Sequence, residues 1–261
     1  MTTTQFSSPP TNVAELLSRV PAGGFVVVGG QAVNAFAELY IDCDEQLRAQ
    51  APFASKDLDV FATRGVMLNW AKTLGPRAKV ITPDPDQMNA VQTGILRYEL
   101  QDGRDLKVDF MTTVFGVKKK KKADEDAAII DSAVSVTIEG ATPVEVPLLN
   151  PVLTVQSRVA NVVGLPHLYD NDHGRKQLRA AIASCRHFLE ELAGGSPREA
   201  LNHVKKLFEI ACSPHALKVY DERGIDVFAA CPHPDVMPDA FREKRHPQML
   251  AELAKRQGKR A

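Results

Sequence analysis

Apolar residues follow two rhythms along this chain: short β-branched runs before residue 150 and long helical stripes after it. Val13, Leu16, Leu17 and Val20 lie on one face of a predicted helix capped by Thr11 or Asn12. Phe25 to Val28 is a compact run that predicts a buried strand. Gly29-Gly30 ends it, and Gln31 to Tyr40 reads as a helix entered from that turn. Residues 41–54 are polar, with a helical piece at Asp44 to Gln50. Leu58 to Ala62 predicts a strand, residues 66–74 a helix, and Arg97 to Leu100 with Leu106 to Phe110 a hairpin turning on Asp102-Gly103. Two shorter strands are expected at 134–138 and 144–146.

After Asn150-Pro151, a cap followed by a favoured first helical residue, the pattern is helical throughout. One helix is expected to about Val163. A second carries Leu178, Ile182, Cys185, Leu189 and Leu192 from near Gly174 to Gly194-Gly195. Ser196-Pro197-Arg198-Glu199 reads as a capping box opening a helix through Ala211, and a last helix is expected over Pro238 to Arg256. The chain is therefore divided near residue 149, with an α/β part at 1–149 and an all-helical part at 150–261.

Composition narrows the function classes only a little. The 32 basic and 32 acidic side chains of the 261 residues cancel, so net charge points to neither nucleic acid nor membrane. No segment is apolar enough to span a bilayer, and Met1 to Pro10 does not resemble a secretion signal. Cys43, Cys185, Cys212 and Cys231 are scattered without a CxxC pair, which favours a reducing, cytoplasmic setting. A Walker-type phosphate loop is absent, and the histidines, Cys231-Pro232-His233 included, show no zinc-ligand spacing. His167 and His173 read as loop-surface residues, and Trp70 as core.

Chemistry concentrates on three aspartates in strand contexts: Asp57 and Asp59 in Lys-Asp-Leu-Asp-Val, and Asp109 in Lys-Val-Asp-Phe. Alternation places Asp57 and Asp59 on one face, with Leu58 and Val60 on the other. Two carboxylates that close repel unless a cation lies between them. A third opposite them makes an oxygen site suited to Mg²⁺ or Mn²⁺, particularly with substrate phosphates completing the shell. A strand turning through Gly29-Gly30 into a helix presents unpaired N–H groups and a positive dipole end to a triphosphate. Taken singly, each motif has a plainer account. The glycines could form an ordinary tight turn, Asp57 and Asp59 a solvated edge strand, and Asp109 an ion pair with Lys107 or Arg104.

The ordered set Val-Gly29-Gly30, Asp57-Leu-Asp59-Val and Val-Asp109-Phe resembles the DNA-polymerase-β-like nucleotidyltransferase superfamily, and the layout is most similar to its AbiEii-type abortive-infection and toxin members. The resemblance implies an α+β fold, a mixed sheet flanked by helices and followed by a helical domain. It implies transfer of a nucleoside monophosphate from an NTP to a hydroxyl-bearing acceptor. Asp57 and Asp59 would then hold metal, and Asp109 would act as third ligand or base. Gly29, Gly30 and Ser55 would lie against the triphosphate. It also implies a tRNA or protein acceptor, a toxin-like role and a cognate antitoxin.

Two features depart from that pattern. Residues 41–54 lengthen the interval between Gly30 and Asp57, and Arg158 stands where the family offers a lysine near the nucleotide. Lys176, Arg179, Asp170 and Asp172 loosely echo a later motif, so Arg158 and Lys176 are the candidate phosphate contacts of the helical half. Lys118 to Lys122 reads either as a clamp on an RNA backbone or, with Asp124 to Asp126 beside it, as a solvated loop. The basic stretch 242–261, with seven basic and two acidic residues, divides the same way. Two rival readings stand beside the enzyme: a nucleotide- or RNA-binding module that lost turnover, and a small-molecule nucleotidyltransferase of the antibiotic-modifying kind.

Overall fold

The computed structural model describes residues 10–55, 57–82, 92–117, 121–138, 143–165, 168 and 171–258. They divide into two compact units: one formed by residues up to Glu38 with Pro52–Asn150, the other by Leu39–Ala51 with the chain from Pro151 onward.

The first unit is built on a mixed sheet. Its strands are β1 (Phe25–Val28), β2 (Asp57–Ala62), β3 (Ala78–Ile81), β4 (Gln92–Glu99), β5 (Asp105–Met111), β6 (Val134–Ile138) and β7 (Val144–Leu148). The order across the sheet is β3-β4-β5-β2-β1-β7-β6. β2 runs parallel to β5 and β1 parallel to β7, and the other neighbours are antiparallel. The helices of this unit are α1 (Pro10–Leu17), α2 (Gly29–Leu39), α4 (Arg64–Leu74) and α5 (Lys122–Ile130). A short helix of the second unit, α3 (Glu45–Gln50), falls between them in sequence.

Strand alternation determines what each face of the sheet carries. Leu58 and Val60 of β2, Leu106, Val108 and Phe110 of β5, and Leu96 of β4 are all fully buried. Trp70 of α4 packs edge-on against Phe25 and Phe110, with ring centroids 4.9 and 5.2 Å away. Edge-to-face contacts of this kind add to the area term that burial of a large indole supplies. The expected hairpin is present: Gly103 takes a φ of 81° and its N–H donates to Leu100 O at 3.0 Å.

Some elements differ from the periodicity. β4 begins five residues before the expected Arg97. β3 was not anticipated; it is a short strand whose only partner among the described residues is β4, and its Ala-Lys-Val-Ile sequence alternates too briefly to register. α5 is likewise additional. Of the basic run, Lys118 to Lys120 lie outside the described residues, Lys121 is exposed and Lys122 opens the helix.

The second unit comprises α3, α6 (Pro151–Gly164), α7 (Asp172–Gly195), α8 (Pro197–Ala211), α9 (Pro214–Arg223) and α10 (His246–Gly258). α6 starts at Pro151 as its sequence dictates. α7 is capped by Asn171, whose side chain accepts from the His173 N–H at 2.7 Å. α8 starts at Pro197, but Ser196 makes no side-chain cap bond, so the capping box does not form. α9 was not expected from sequence. The last helical run includes a π-helical turn at Phe241–Arg245 before α10. His167 and Asp170 lie outside the described residues. No described helix is long and apolar enough to cross a membrane.

The insertion expected at 41–54 is divided: its residues up to Ala51, together with Leu39 and Tyr40 from the end of the preceding helix, group with the helical unit. The cause is Asp44, 5% exposed. Its carboxylate caps α3 by accepting from the Leu47 N–H at 3.0 Å. The same side chain accepts from Arg186 at 2.6 Å and lies 3.0 Å from His187 Nε2, both on α7. Tyr40 adds a hydroxyl donated to Glu191 at 2.8 Å. Burial works against the Asp44 charge, yet the bonds from His187 and the Leu47 N–H and the charge of Arg186 outweigh it and hold the carboxyl below its ordinary value.

Two outcomes follow for stability. Trp70→Ala should destabilise the first unit by about 3–5 kcal/mol in urea unfolding, the cost of emptying a large buried site. Asp44→Ala should cost the second unit about 2–3 kcal/mol near neutral pH, through a lost cap and a lost charged contact. Because the folded Asp44 pKa is depressed, its contribution is complete above the unfolded value of 3.8 and disappears as pH falls through the folded one. Wild-type and variant melting curves should therefore converge in strong acid.

Candidate active site

β1 runs antiparallel to β2 with Val28 opposite Asp59, and the chain turns at the next residue. Gly29 takes a φ of 68°, a left-handed conformation that side chains resist. Space imposes the same choice. A Cβ at Gly29 would lie 2.8 Å from Asp59 Cγ and 2.9 Å from Asp59 Cβ, inside contact distance. The diglycine turn and the Asp-x-Asp strand are thus one packed unit: the missing side chain at 29 is the room in which the Asp59 carboxylate lies. Gly30 follows, buried, in the first turn of α2.

β5 lies on the other side of β2. Parallel pairing sets Asp59 beside Asp109 and Asp57 beside Lys107. Asp57, Asp59 and Asp109 offer carboxylate oxygens that all lie within 4.8 Å of one another. Asp109 is 6% exposed, whereas Asp57 and Asp59 are half-buried. Burial is the largest influence on Asp109 and pushes its carboxyl above the ordinary value; Lys107 pulls it down by hydrogen bond and charge, and Asp57 adds a further push.

Two residues outside the expected set complete the cluster. Lys107 Nζ donates to Asp109 Oδ2 at 2.6 Å and lies 3.7 Å from Asp57 Oδ2. Burial opposes its charge, but Asp109 by hydrogen bond and charge, with Asp57 and Asp59 behind, holds the ammonium above the usual lysine value. The plain ion-pair account of Asp109 therefore holds for Lys107 and coexists with the cluster, while Arg104 pairs with Asp102 instead. Gln92 Nε2 donates to Asp109 Oδ1. A bulge between Gln92 and Gly94 shifts the β4 register by one residue and turns Gln92 onto the face that carries Asp109. Lys107 was visible in sequence as a neighbour of Asp109; Gln92 carried no signal, since a bulge depends on the partner strand.

Ser55 is buried; with the Asn34 amide turned to the orientation that satisfies both of its ends, the Ser55 N–H donates to the Asn34 side-chain oxygen at 3.2 Å and the Asn34 amide donates to Gly30 O at 3.1 Å. That bridge ties the segment before β2 to the start of α2, and it commits the Ser55 N–H within the protein. Arg158 and Lys176 belong to the second unit. Arg158, 8% exposed, donates to Gln177 Oε1 at 3.0 Å and so joins α6 to α7, whereas Lys176 is exposed on α7.

The donor set suits a hard divalent cation: three carboxylates on adjacent strands, two of which, Asp57 and Asp109, already lie against the ammonium of Lys107. No protein-family profile matches the chain, and no curated protein matches it in sequence. Among solved structures, an antigenic nucleotidyltransferase-like protein from Paracoccidioides brasiliensis aligns with a TM-score of 0.41 and 10% identity, over 84% of this chain and 88% of that one. A superposition that loose assigns nothing, and the functional reading rests on the geometry of this site.

Gly29→Ala should lower the stability of the first unit by about 2–4 kcal/mol, combining left-handed strain with displacement of Asp59. Thermal unfolding reads the stability loss, and a Mn²⁺ titration of the same protein should show weakened binding.

Proposed function

We propose that this protein is a divalent-metal-dependent nucleotidyltransferase that moves a nucleoside monophosphate from an NTP to a hydroxyl-bearing acceptor and releases pyrophosphate. The observation that carries this reading is the convergence of Asp57, Asp59 and Asp109 within 4.8 Å beside the Gly29-Gly30 turn. Asp57 and Asp59 hold Mg²⁺ or Mn²⁺, with Asp109 as the third ligand or the base. A bound divalent cation neutralises phosphate oxygens and lowers the barrier to displacement at phosphorus.

The chain's own groups supply the rest. Backbone N–H groups at the start of α2, entered through Gly29 and Gly30, face the triphosphate with the positive end of the helix dipole. Ser55 enters through its hydroxyl, because its N–H serves Asn34. Asp109, buried beside the other two carboxylates, either completes the ligand set or accepts the acceptor's hydroxyl proton. The hydroxyl oxygen forms a bond to the α-phosphorus, the bond from that phosphorus to the α,β-bridging oxygen breaks, and pyrophosphate departs with that electron pair. The resemblance implies Arg158 and Lys176 as phosphate contacts; within the helical unit Arg158 serves the packing of α6 on α7.

The acceptor classes implied by the resemblance, tRNA or a protein side chain, accompany a toxin-like role and an antitoxin partner in this proposal. One experiment sorts them. Purified protein is incubated with each labelled NTP, Mg²⁺ or Mn²⁺, and total RNA. Label should enter an acceptor and fall by about a thousandfold or more in Asp57→Ala/Asp59→Ala. Equal transfer by that variant would falsify the assignment. Metal-dependent nucleotide binding without transfer would select the binding module, and label on a small hydroxylated molecule alone would select the antibiotic-modifying type.

A further inference from the structure

Both oxygens of Asp109 are already engaged, Oδ1 by Gln92 and Oδ2 by Lys107. Lys107 stands in register with Asp57 and two residues before Asp109 on β5, so its side chain rises from the carboxylate face. Its ammonium, 2.6 Å from Asp109 Oδ2 and 3.7 Å from Asp57 Oδ2, lies between carboxylates of two neighbouring strands. A divalent ion bound there needs those same oxygens. The Gln92 amide is neutral, and its place is fixed by the β4 bulge. The Lys107 side chain is 42% exposed on a flexible four-carbon stem, so it can leave without disturbing the core.

We propose that Lys107 is the resident counter-ion of this site: it holds the three carboxylates together in the ion-free protein and is displaced by the incoming divalent cation, so that it sets the site's affinity for the ion. This rests on the metal-dependent reading above. Without an ion, three clustered carboxylates would repel, and the ammonium removes that strain. With an ion, the ammonium and the cation compete for Asp109 Oδ2 and Asp57 Oδ2, so free Mg²⁺ or Mn²⁺ binds more weakly than the carboxylates alone would allow. Lys107 is therefore a positioning residue for Asp109 and a brake on ion loading.

The test is direct Mn²⁺ binding to the full-length protein, read by the electron paramagnetic resonance of free Mn²⁺, with ion-free melting temperature as a second readout. Lys107→Met should tighten Mn²⁺ binding by about tenfold and lower the ion-free melting temperature. Lys107→Arg keeps the charge and should stay within about threefold of wild type. Arg97→Met controls for the general field: Arg97 is exposed on β4 opposite Lys107, one strand farther from Asp57, and its loss should leave the affinity nearly unchanged. Unaltered or weaker Mn²⁺ binding in Lys107→Met overturns the proposal and leaves the metal-dependent reading intact. Equal tightening in Arg97→Met also overturns it, by reducing the effect to overall charge. Absence of Mn²⁺ binding in wild type and Lys107→Met alike overturns the metal-dependent reading itself. Should the Met variant fail to fold, Lys107→Gln is read in the same way.

Discussion

Three carboxylates with oxygens inside 4.8 Å repel one another on one sheet face, and here the Lys107 ammonium lies against two of them. The first unit is arranged around that constraint. β2 contributes two of the carboxylates because alternation repeats every second residue, and β5 contributes the third because it runs parallel to β2 in a register that sets Asp59 beside Asp109. The opposite positions on the same strands, Leu58, Val60, Val108 and Phe110, are buried. A one-residue slip of either strand would turn its charges into that apolar core and its core residues to the open face, so the hydrophobic pattern enforces the register the site needs.

Neighbouring elements then serve the cluster from both sides. Gly29 supplies an absence, a backbone turn with no side chain where the Asp59 carboxylate must lie. The β4 bulge supplies a presence, Gln92 turned onto the face of Asp109. Lys107 supplies charge from the strand that carries Asp109. In its bond-satisfying orientation the Asn34 amide bridges Gly30 and Ser55, which ties the turn to the entry of β2. Preorganisation of this kind spares a polar site from rearranging its dipoles during reaction.

The helical unit follows a similar logic at smaller scale. Asp44 is costly to bury alone, and it is tolerated because the α3 cap, Arg186 and His187 all converge on it. That one carboxylate ties a polar segment from the middle of the first half to α7. In the same unit burial raises the Cys231 thiol to about 12 and the Cys185 thiol higher still, which disfavours the thiolate.

By itself the sequence determined the features that depend on near neighbours. Alternation put Asp57 and Asp59 on one face, Asp102-Gly103 made the hairpin, Gly29-Gly30 ended a buried strand, and Pro151 opened the helical half. Tertiary structure decided what depends on partners distant in the chain. Strand order brought Asp109 to Asp59, a bulge defined only against β5 turned Gln92 toward Asp109, and Asp44 found Arg186 across 142 residues. Lys107 shows the limit most clearly: sequence offered ion pair and metal site as rival accounts of Asp109, and the fold sets the ion pair inside a cluster of carboxylates that could hold a metal. The reason is physical. Local periodicity follows from backbone geometry, but whether a charge is paired, buried or shared depends on groups that only folding brings within a few ångströms.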